Sequence, residues 1–284
     1  MSAVATPSQR LAPLREELAK FPAFFRRDLL IAWSYRTAFI SDWASLLLQT
    51  GLFYLVGRMV DPRVLPTYGG SRATYMEFVM VGIAVGAFLS MALIRVSSSM
   101  RNEQYAGTLE SILVTPTAPA TFQIGSIAYD LVYVPVRTGL FIVFIVAAFG
   151  IKLNAAGIVP AMLLLLLFIP FVWGLGVLSA ASAITVRRGG SPVGYLMTVL
   201  TIGSGAYYPL SILPGWIRSF ANANPMTTTI EGMRQALLGS LPLSHLLHDL
   251  GILAVAGAAS VTLGIAAFRV ALRRERRRGT LGLY

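Results

Sequence analysis

The sequence predicts an all-α, polytopic membrane protein with six transmembrane helices. Composition is the first reason. Hydrophobic residues make up 56% of the chain and charged residues only 12%, with a mean hydropathy of +0.70. A soluble domain carries about 25% charged residues. Patterning is the second reason: the apolar residues fall in runs of about twenty, the length a helix needs to cross roughly 30 Å of hydrocarbon. The net charge is +11, which in a soluble protein would suggest nucleic acid. Here the basic residues sit at the ends of apolar runs, so anionic headgroups and the positive-inside rule account for them, and no nucleic-acid partner is expected. The chain has no cysteine, which excludes disulfides, a thiolate nucleophile and cysteine-bound metal.

Residues 1–36 read as a cytoplasmic N-terminal segment. They contain Glu16, Glu17 and Asp28 and lack a compact apolar region with a small-residue cleavage site, so they do not read as a cleaved signal peptide. Within 10–36, Phe21, Phe24, Phe25, Leu29 and Trp33 share one face, and Lys20, Arg26 and Arg27 reach towards headgroups. That is an amphipathic helix, or two, lying in the interface; a cytosolic docking arm is the competing reading.

Residues 37–270 hold the spans, expected at 38–60, 74–95, 121–149, 157–184, 193–210 and 247–270. Asp42 lies near the start of the first, Arg58 near its end, and Glu77 near the outer end of the second, a few residues after its start. Gly82 and Gly86 make a small-xxx-small step suited to close helix packing. The third span contains Asp130, Pro135 and Arg137; the two charges are seven residues apart on nearly one helical face and need a partner or a wet cavity at membrane depth. Residues 211–246 are not a normal span. Short apolar stretches broken by Pro209, Pro214 and Gly215, followed by Asn224-Pro225 and an amphipathic stretch, predict a re-entrant helical hairpin over 211–238 between spans five and six. The tail, 271–284, is basic, and six arginines fall in the ten positions from Arg269 to Arg278.

Six spans put both termini on one side. Sixteen Lys and Arg lie on the termini and the loops that share their side, against six on the other, so the termini and the 96–120 loop are predicted to be cytoplasmic. That loop contains RNEQYAGTLESILVTPT at 101–117, where Gln104 to Val114 can make three helical turns with Leu109, Ile112 and Leu113 close together on one face. Pro116 and Pro119 end it. Such a helix can lie on the membrane surface or dock into another protein; docking is the reading taken here, with an ordinary surface helix as the alternative.

No motif for catalysis stands out. There is no GxxxxGK[ST], HExxH or GxSxG string. His245, His248 and Asp249 have a spacing that can hold a metal, but at a surface turn without a further ligand they read as a polar cap. No catalytic residue and no metal site are expected, and any ATP hydrolysis belongs to another chain.

Three strings now carry a resemblance: NEQYAGTLESILVTP at 102–116, YYPLSILPGW at 207–216 and NPMTTTIEGMRQALLG at 224–239. They are similar, in order and spacing, to the ABC-2 family of export permeases, the membrane subunits of bacterial ATP-binding cassette exporters. The family string E-x-x-x-G-T-L-E-x-L-x-x-T-P is matched by Glu103, Gly107, Thr108, Leu109, Glu110, Thr115 and Pro116, with Ile112 in place of the common leucine. The resemblance implies a bacterial inner-membrane location and two copies of a separate ATPase that binds ATP and magnesium. It also implies a second permease copy, as a homodimer or with a close relative, and contact with membrane lipid. It makes 104–115, with Leu113 on its apolar face, the coupling helix. It makes Phe25, Trp33, Tyr133, Trp173, Tyr207 and Tyr208 candidates for the path or gate. Pro209, Pro214, Gly215, Asn224, Pro225 and Glu231 become marks of the external hairpin. The expected function is export of an amphiphilic or hydrophobic compound: drug-like molecule, lipid or glycolipid. Export of a polysaccharide or lipid-linked glycan is the alternative within the family. An ion-coupled secondary transporter using Asp130 is the alternative of a different class.

Overall fold

The computed structural model describes residues 21–105, 128–185 and 192–278 of the 284-residue chain. These residues hold nine α-helices and one short hairpin. The helices are α1 (Phe21–Ser34), α2 (Arg36–Gly57), α3 (Tyr75–Tyr105), α4 (Ala128–Phe149), α5 (Ile158–Thr185), α6 (Pro192–Ile202), α7 (Gly215–Asn222), α8 (Pro225–Leu238) and α9 (Leu243–Arg278). Strands β1 (Thr67–Tyr68) and β2 (Ser71–Arg72) pair antiparallel, Thr67 opposite Arg72. Gly69 and Gly70 make the turn at φ +57° and +82°, a region side-chain-bearing residues rarely adopt.

The protein is thus mostly helical, and four stretches among the described residues are long and apolar enough to cross a membrane: Phe39–Gly57, Val132–Phe149, Ala155–Ser182 and Leu243–Ala271. The expected second span falls in α3, whose apolar part, Tyr75–Met91, is shorter. The expected fifth span is corrected. Its helix, α6, has 11 residues and ends at Ile202, a rise of about 16 Å. Gly203, Gly205 at φ +68° and Pro209 follow within seven residues and stop it. The last helix is longer than its expected span, running 36 residues through the arginines to Arg278.

Helix α3 lies at the centre. Val79, Met80, Val81, Ile83, Val85 and Leu89 are 0% exposed, so it is buried all round rather than along one stripe. A capping box starts it: the Glu77 N–H donates to Thr74 Oγ1 (3.3 Å) and the Thr74 N–H donates to Glu77 Oε2 (2.7 Å). Helix α5 packs along α9. A Cβ on Gly174 would lie 2.3 Å from the Ser260 carbonyl carbon, and one on Gly264 would lie 2.5 Å from the Gly174 oxygen. Small residues let these backbones touch, and Ser260 Oγ donates across to the Phe171 carbonyl at 2.8 Å. Helix α2 is peripheral, with only 11% of its apolar stretch buried.

Three connections gather at one end of the bundle. The Asn154 N–H donates to the Leu237 carbonyl (2.8 Å) and Asn154 Nδ2 to the Gly239 carbonyl (2.6 Å), closing the last turn of α8. The turn at Gly69 abuts Gly239, and Gly157 abuts Ala236. The three loops expected to share one side of the membrane, 61–73, 150–156 and 211–246, therefore do meet.

Candidate functional site

The chain leaves the α-helix between α6 and α7, its first four residues are buried, and the site is built on it. Gly203, Ser204, Gly205 and Ala206 are all buried. Carbonyls released from a helix in such surroundings need other donors, since each left unpaired costs several kcal/mol in hydrocarbon. Side chains supply them one by one. Asn224 Nδ2 donates to the Leu200 carbonyl at 2.8 Å. Ser204 Oγ donates to Thr201 at 2.7 Å. The Tyr208 hydroxyl donates to Ile202, and the Tyr75 hydroxyl to Tyr207 at 3.1 Å. Arg218 reaches the carbonyls of Leu210, Ser211 and Leu213 at 3.2, 2.6 and 3.0 Å.

Arg234 takes the two carbonyls in the middle. It projects from α8 and is 2% exposed. Nη1 donates to Gly205 (3.1 Å) and Nη2 to Ala206 (2.9 Å), while Nε donates to the Phe78 carbonyl on α3 at 2.8 Å. Its Cζ lies 3.6 Å over the Phe78 ring, a cation–π contact. Glu231 Oε2 lies 3.6 Å away from Nη1, and that carboxylate accepts from the Tyr68 hydroxyl at 3.0 and 3.2 Å. Burial first, then the Glu231 carboxylate, push the Tyr68 phenol above its ordinary value and keep it a donor. Read as a helical i,i+3 pair, Glu231 and Arg234 are a modest surface support. In the structure the arginine is instead a buried fork, and the acid is its looser partner.

The glycine step on α3 also has an unexpected neighbour. A Cβ on Gly82 would lie 1.9 Å from the Ala206 oxygen, and one on Gly86 would lie 3.3 Å from the Tyr207 hydroxyl. The small residues admit the non-helical strand of chain, not another helix.

A second cluster lies between α1, α2 and α4. The Phe25 ring meets Tyr129 (centroids 6.0 Å), Tyr129 stacks on Tyr133 (5.3 Å), and Tyr133 meets Phe39 (6.5 Å), which meets Trp43 (6.2 Å). Beside them Arg137, 4% exposed, pairs with Asp42: Nη2 donates to Oδ1 at 2.7 Å and Nε lies 2.6 Å from Oδ2. The partner of Arg137 is therefore on another helix, 95 positions earlier; the side chain of Asp130 lies outside the described residues.

Of the candidate path residues, the structure joins Phe25 to Tyr133 through Tyr129. Tyr207 belongs to the broken segment and stacks on Phe53 of α2 (4.7 Å, 8°), with Gln49 Nε2 3.5 Å from its hydroxyl. Tyr208 closes the same segment. Trp173 is half-buried on α5 and Trp33 is 72% exposed on α1; neither joins these ring contacts among the described residues. Of the hairpin marks, Pro209 precedes a 3-10 turn, Pro214 precedes α7 and Gly215 begins it. Asn224 caps α8, accepting from the Met226 N–H at 3.0 Å, and Pro225 is its first residue. Glu103 lies in α3; Gly107 to Pro116, the rest of the expected coupling residues, lie outside the described residues. Among the described residues no group of three or more His, Asp or Glu is placed to hold a metal. Sequence reasoning missed Arg234 and Asp42 as site residues.

The family model of the ABC-2 type transporter matches residues 20–238, most of the chain and the whole of the broken segment and α8. The chain belongs to the ABC-2 type transporter family. Its relatives include the inner membrane transport permease YadH of Escherichia coli K12, 25% identical over 194 residues, which cover 67% of this chain and 73% of that protein. The permeases of the same name from Escherichia coli O157:H7 and Shigella flexneri match to the same extent. ABC-2 permeases are transmembrane transport components that are not themselves catalytic and work with an ATPase subunit.

Proposed function

We propose that this chain is the permease subunit of an ATP-driven exporter that moves an amphiphilic or hydrophobic compound, a drug-like molecule, lipid or glycolipid, out of the cytoplasm or the inner leaflet. The observation that carries the reading is the family match over 20–238, which takes in the 102–116 string and all but the last residue of the 224–239 string. In this reading the chain crosses the bacterial inner membrane six times, with α6 and the broken segment after it together making the fifth crossing, and both termini lie in the cytoplasm. A second permease copy completes the path, and two ATPase subunits bind ATP and magnesium below. Residues 104–115 dock in the ATPase through Leu109, Ile112 and Leu113, with Glu103 and Glu110 towards basic groups. Closure of the ATPase dimer on ATP favours one of two transmembrane states, and this difference drives the cargo outward.

The amphiphile reading is supported by the α1–α2–α4 cluster. It offers aromatic faces, and Asp42 and Arg137 neutralise each other there at 2.6–2.7 Å, so the Asp42 carboxylate is engaged rather than free for ion coupling. Inverted membrane vesicles from the native host test the reading with two probes, a fluorescent short-chain phospholipid and a hydrophobic dye. Uptake that requires ATP, survives a protonophore and is lost in Leu109→Glu/Ile112→Glu is the expected result. Uptake that ignores ATP and collapses with the protonophore would overturn it.

A further inference from the structure

Arg234 joins three elements that are otherwise separate in the chain. Its own helix, α8, is the second helix of the hairpin; Gly205 and Ala206 belong to the break after α6; Phe78 is in the first turn of α3. Helix α3 is continuous for 31 residues, from Tyr75 to Tyr105, a rise of about 46 Å. Its far end leads directly into the segment proposed to dock in the ATPase. Its Tyr75–Met91 part is buried or half-buried, and a continuous helix packed in this way moves as a rod, because a packed interior does not deform continuously.

The near end of that rod is gripped by one side chain. A guanidinium is a planar fork, so its donors hold the Phe78 carbonyl on one side and the Gly205 and Ala206 carbonyls on the other at the same time. The Ala206 oxygen also lies against Gly82, one turn further along α3. The break is therefore registered to α3 both by contact and by hydrogen bonds. The 203–213 stretch is in turn linked to the surface: Arg218 holds the carbonyls of Leu210, Ser211 and Leu213, and Ser211 is exposed.

We infer that Arg234 is the positioning residue that carries movement of α3 into the broken segment and the hairpin. The inference rests on the ATP-driven reading above and names the residue through which that reading reaches the gate at this end of the bundle. Nucleotide-driven displacement of α3 shifts the Phe78 carbonyl, and the fork drags the Gly205–Ala206 carbonyls with it. Without the fork, α3 moves and the break does not follow.

The chain's lack of cysteine makes the test direct. Ser211→Cys is placed in the full permease–ATPase complex, in proteoliposomes, and its rate of labelling by an impermeant maleimide is measured with and without ATP and vanadate. Co-purification and hydrolysis of ATP report the other end of α3. In the otherwise unsubstituted chain the labelling rate changes about fivefold or more with nucleotide. In Arg234→Met, and in the milder Arg234→Lys, which keeps the charge but not the fork, the ratio falls to about 1. The ATPase stays bound and hydrolysis stays within about twofold. A nucleotide response that persists in both variants overturns the inference alone. Loss of the ATPase and of the folded chain in both variants also overturns it, since the arginine is then a folding residue only. An unsubstituted complex with no bound ATPase and no nucleotide response overturns the ATP-driven reading and this inference together.

Discussion

Gly82→Ala puts the packing of the break against α3 to a quantitative test. The added methyl would lie 1.9 Å from the Ala206 oxygen, 2.6 Å from its carbonyl carbon and 2.9 Å from its Cα. All three are backbone atoms, so no side chain can swing aside. A carbon–oxygen contact settles at roughly 3.3 Å, so the break must retreat by about 1.4 Å. The Ala206 and Gly205 oxygens are held by Arg234 at 2.9 and 3.1 Å, and a retreat of that size breaks both bonds. Hydrogen bonds to a charged group contribute about 1.5–3 kcal/mol each, so the loss is about 3–6 kcal/mol. Alanine recovers only about 1 kcal/mol of helix propensity. The expected net cost is about 2–5 kcal/mol. The assay is reversible unfolding in mixed micelles by titration with a denaturing detergent, with thermal melting as a check. Gly51→Ala is the control. It lies in α2 with nothing within 4 Å of the added carbon, and it should raise stability by up to about 1 kcal/mol. If Gly82→Ala is as stable as the unsubstituted chain, or tracks Gly51→Ala, the described path of the break beside α3 is wrong.

Other outcomes follow from the same contacts. Asp42→Asn strands the buried Arg137 guanidinium and should cost about 3 kcal/mol; Asp42→Asn/Arg137→Gln, which removes both charges, should be more stable than the single variant when both are unfolded in micelles. Asn224→Ala removes the cap on Met226 and the bond to the Leu200 carbonyl, and should cost about 1–3 kcal/mol in the same assay. Tyr68 has a phenol pKa raised by burial and by Glu231, so its contribution to stability is complete below the unfolded value near 10 and is lost as pH rises above it. Tyr68→Phe should therefore lose less stability between pH 8 and 11 than the unsubstituted chain, by about 1.4 kcal/mol. Equal slopes in the two proteins would show that this hydroxyl is not held as described.

Much of the architecture was legible from hydropathy alone, because a bilayer demands long apolar helices and tolerates little else. Helices α2, α4, α5 and α9 follow the expected runs to within a few residues at most ends. Asn224-Pro225 announces the start of α8, since the cap and the first-turn proline are both local signals. Thr74-x-x-Glu77 is an equally local signal for the start of α3, and it is readable once the capping box is sought. The break at Ile202 was concealed by an apolar run that continues past it, although Gly203, Gly205 and Pro209 mark it. The role of Arg234 was not legible, because its partners are backbone carbonyls of residues 78, 205 and 206. A carbonyl has no letter of its own. The partner of Arg137 was hidden for a different reason: helical periodicity points to Asp130, seven residues away, and says nothing of a carboxylate on another helix. Gly82 was recognised as a close-approach position, but spacing alone cannot tell whether the approaching backbone is a helix.

In the proposed function a separate ATPase drives this permease. The direct measurement is purification of the chain from its native host in mild detergent, followed by identification of bound proteins and assay of ATP hydrolysis. A separate ATP-binding subunit with magnesium-dependent hydrolysis, present with the unsubstituted chain and lost in Leu109→Glu/Ile112→Glu, is the predicted result. A lone oligomer of this chain, with no ATPase bound and no hydrolysis, would contradict it.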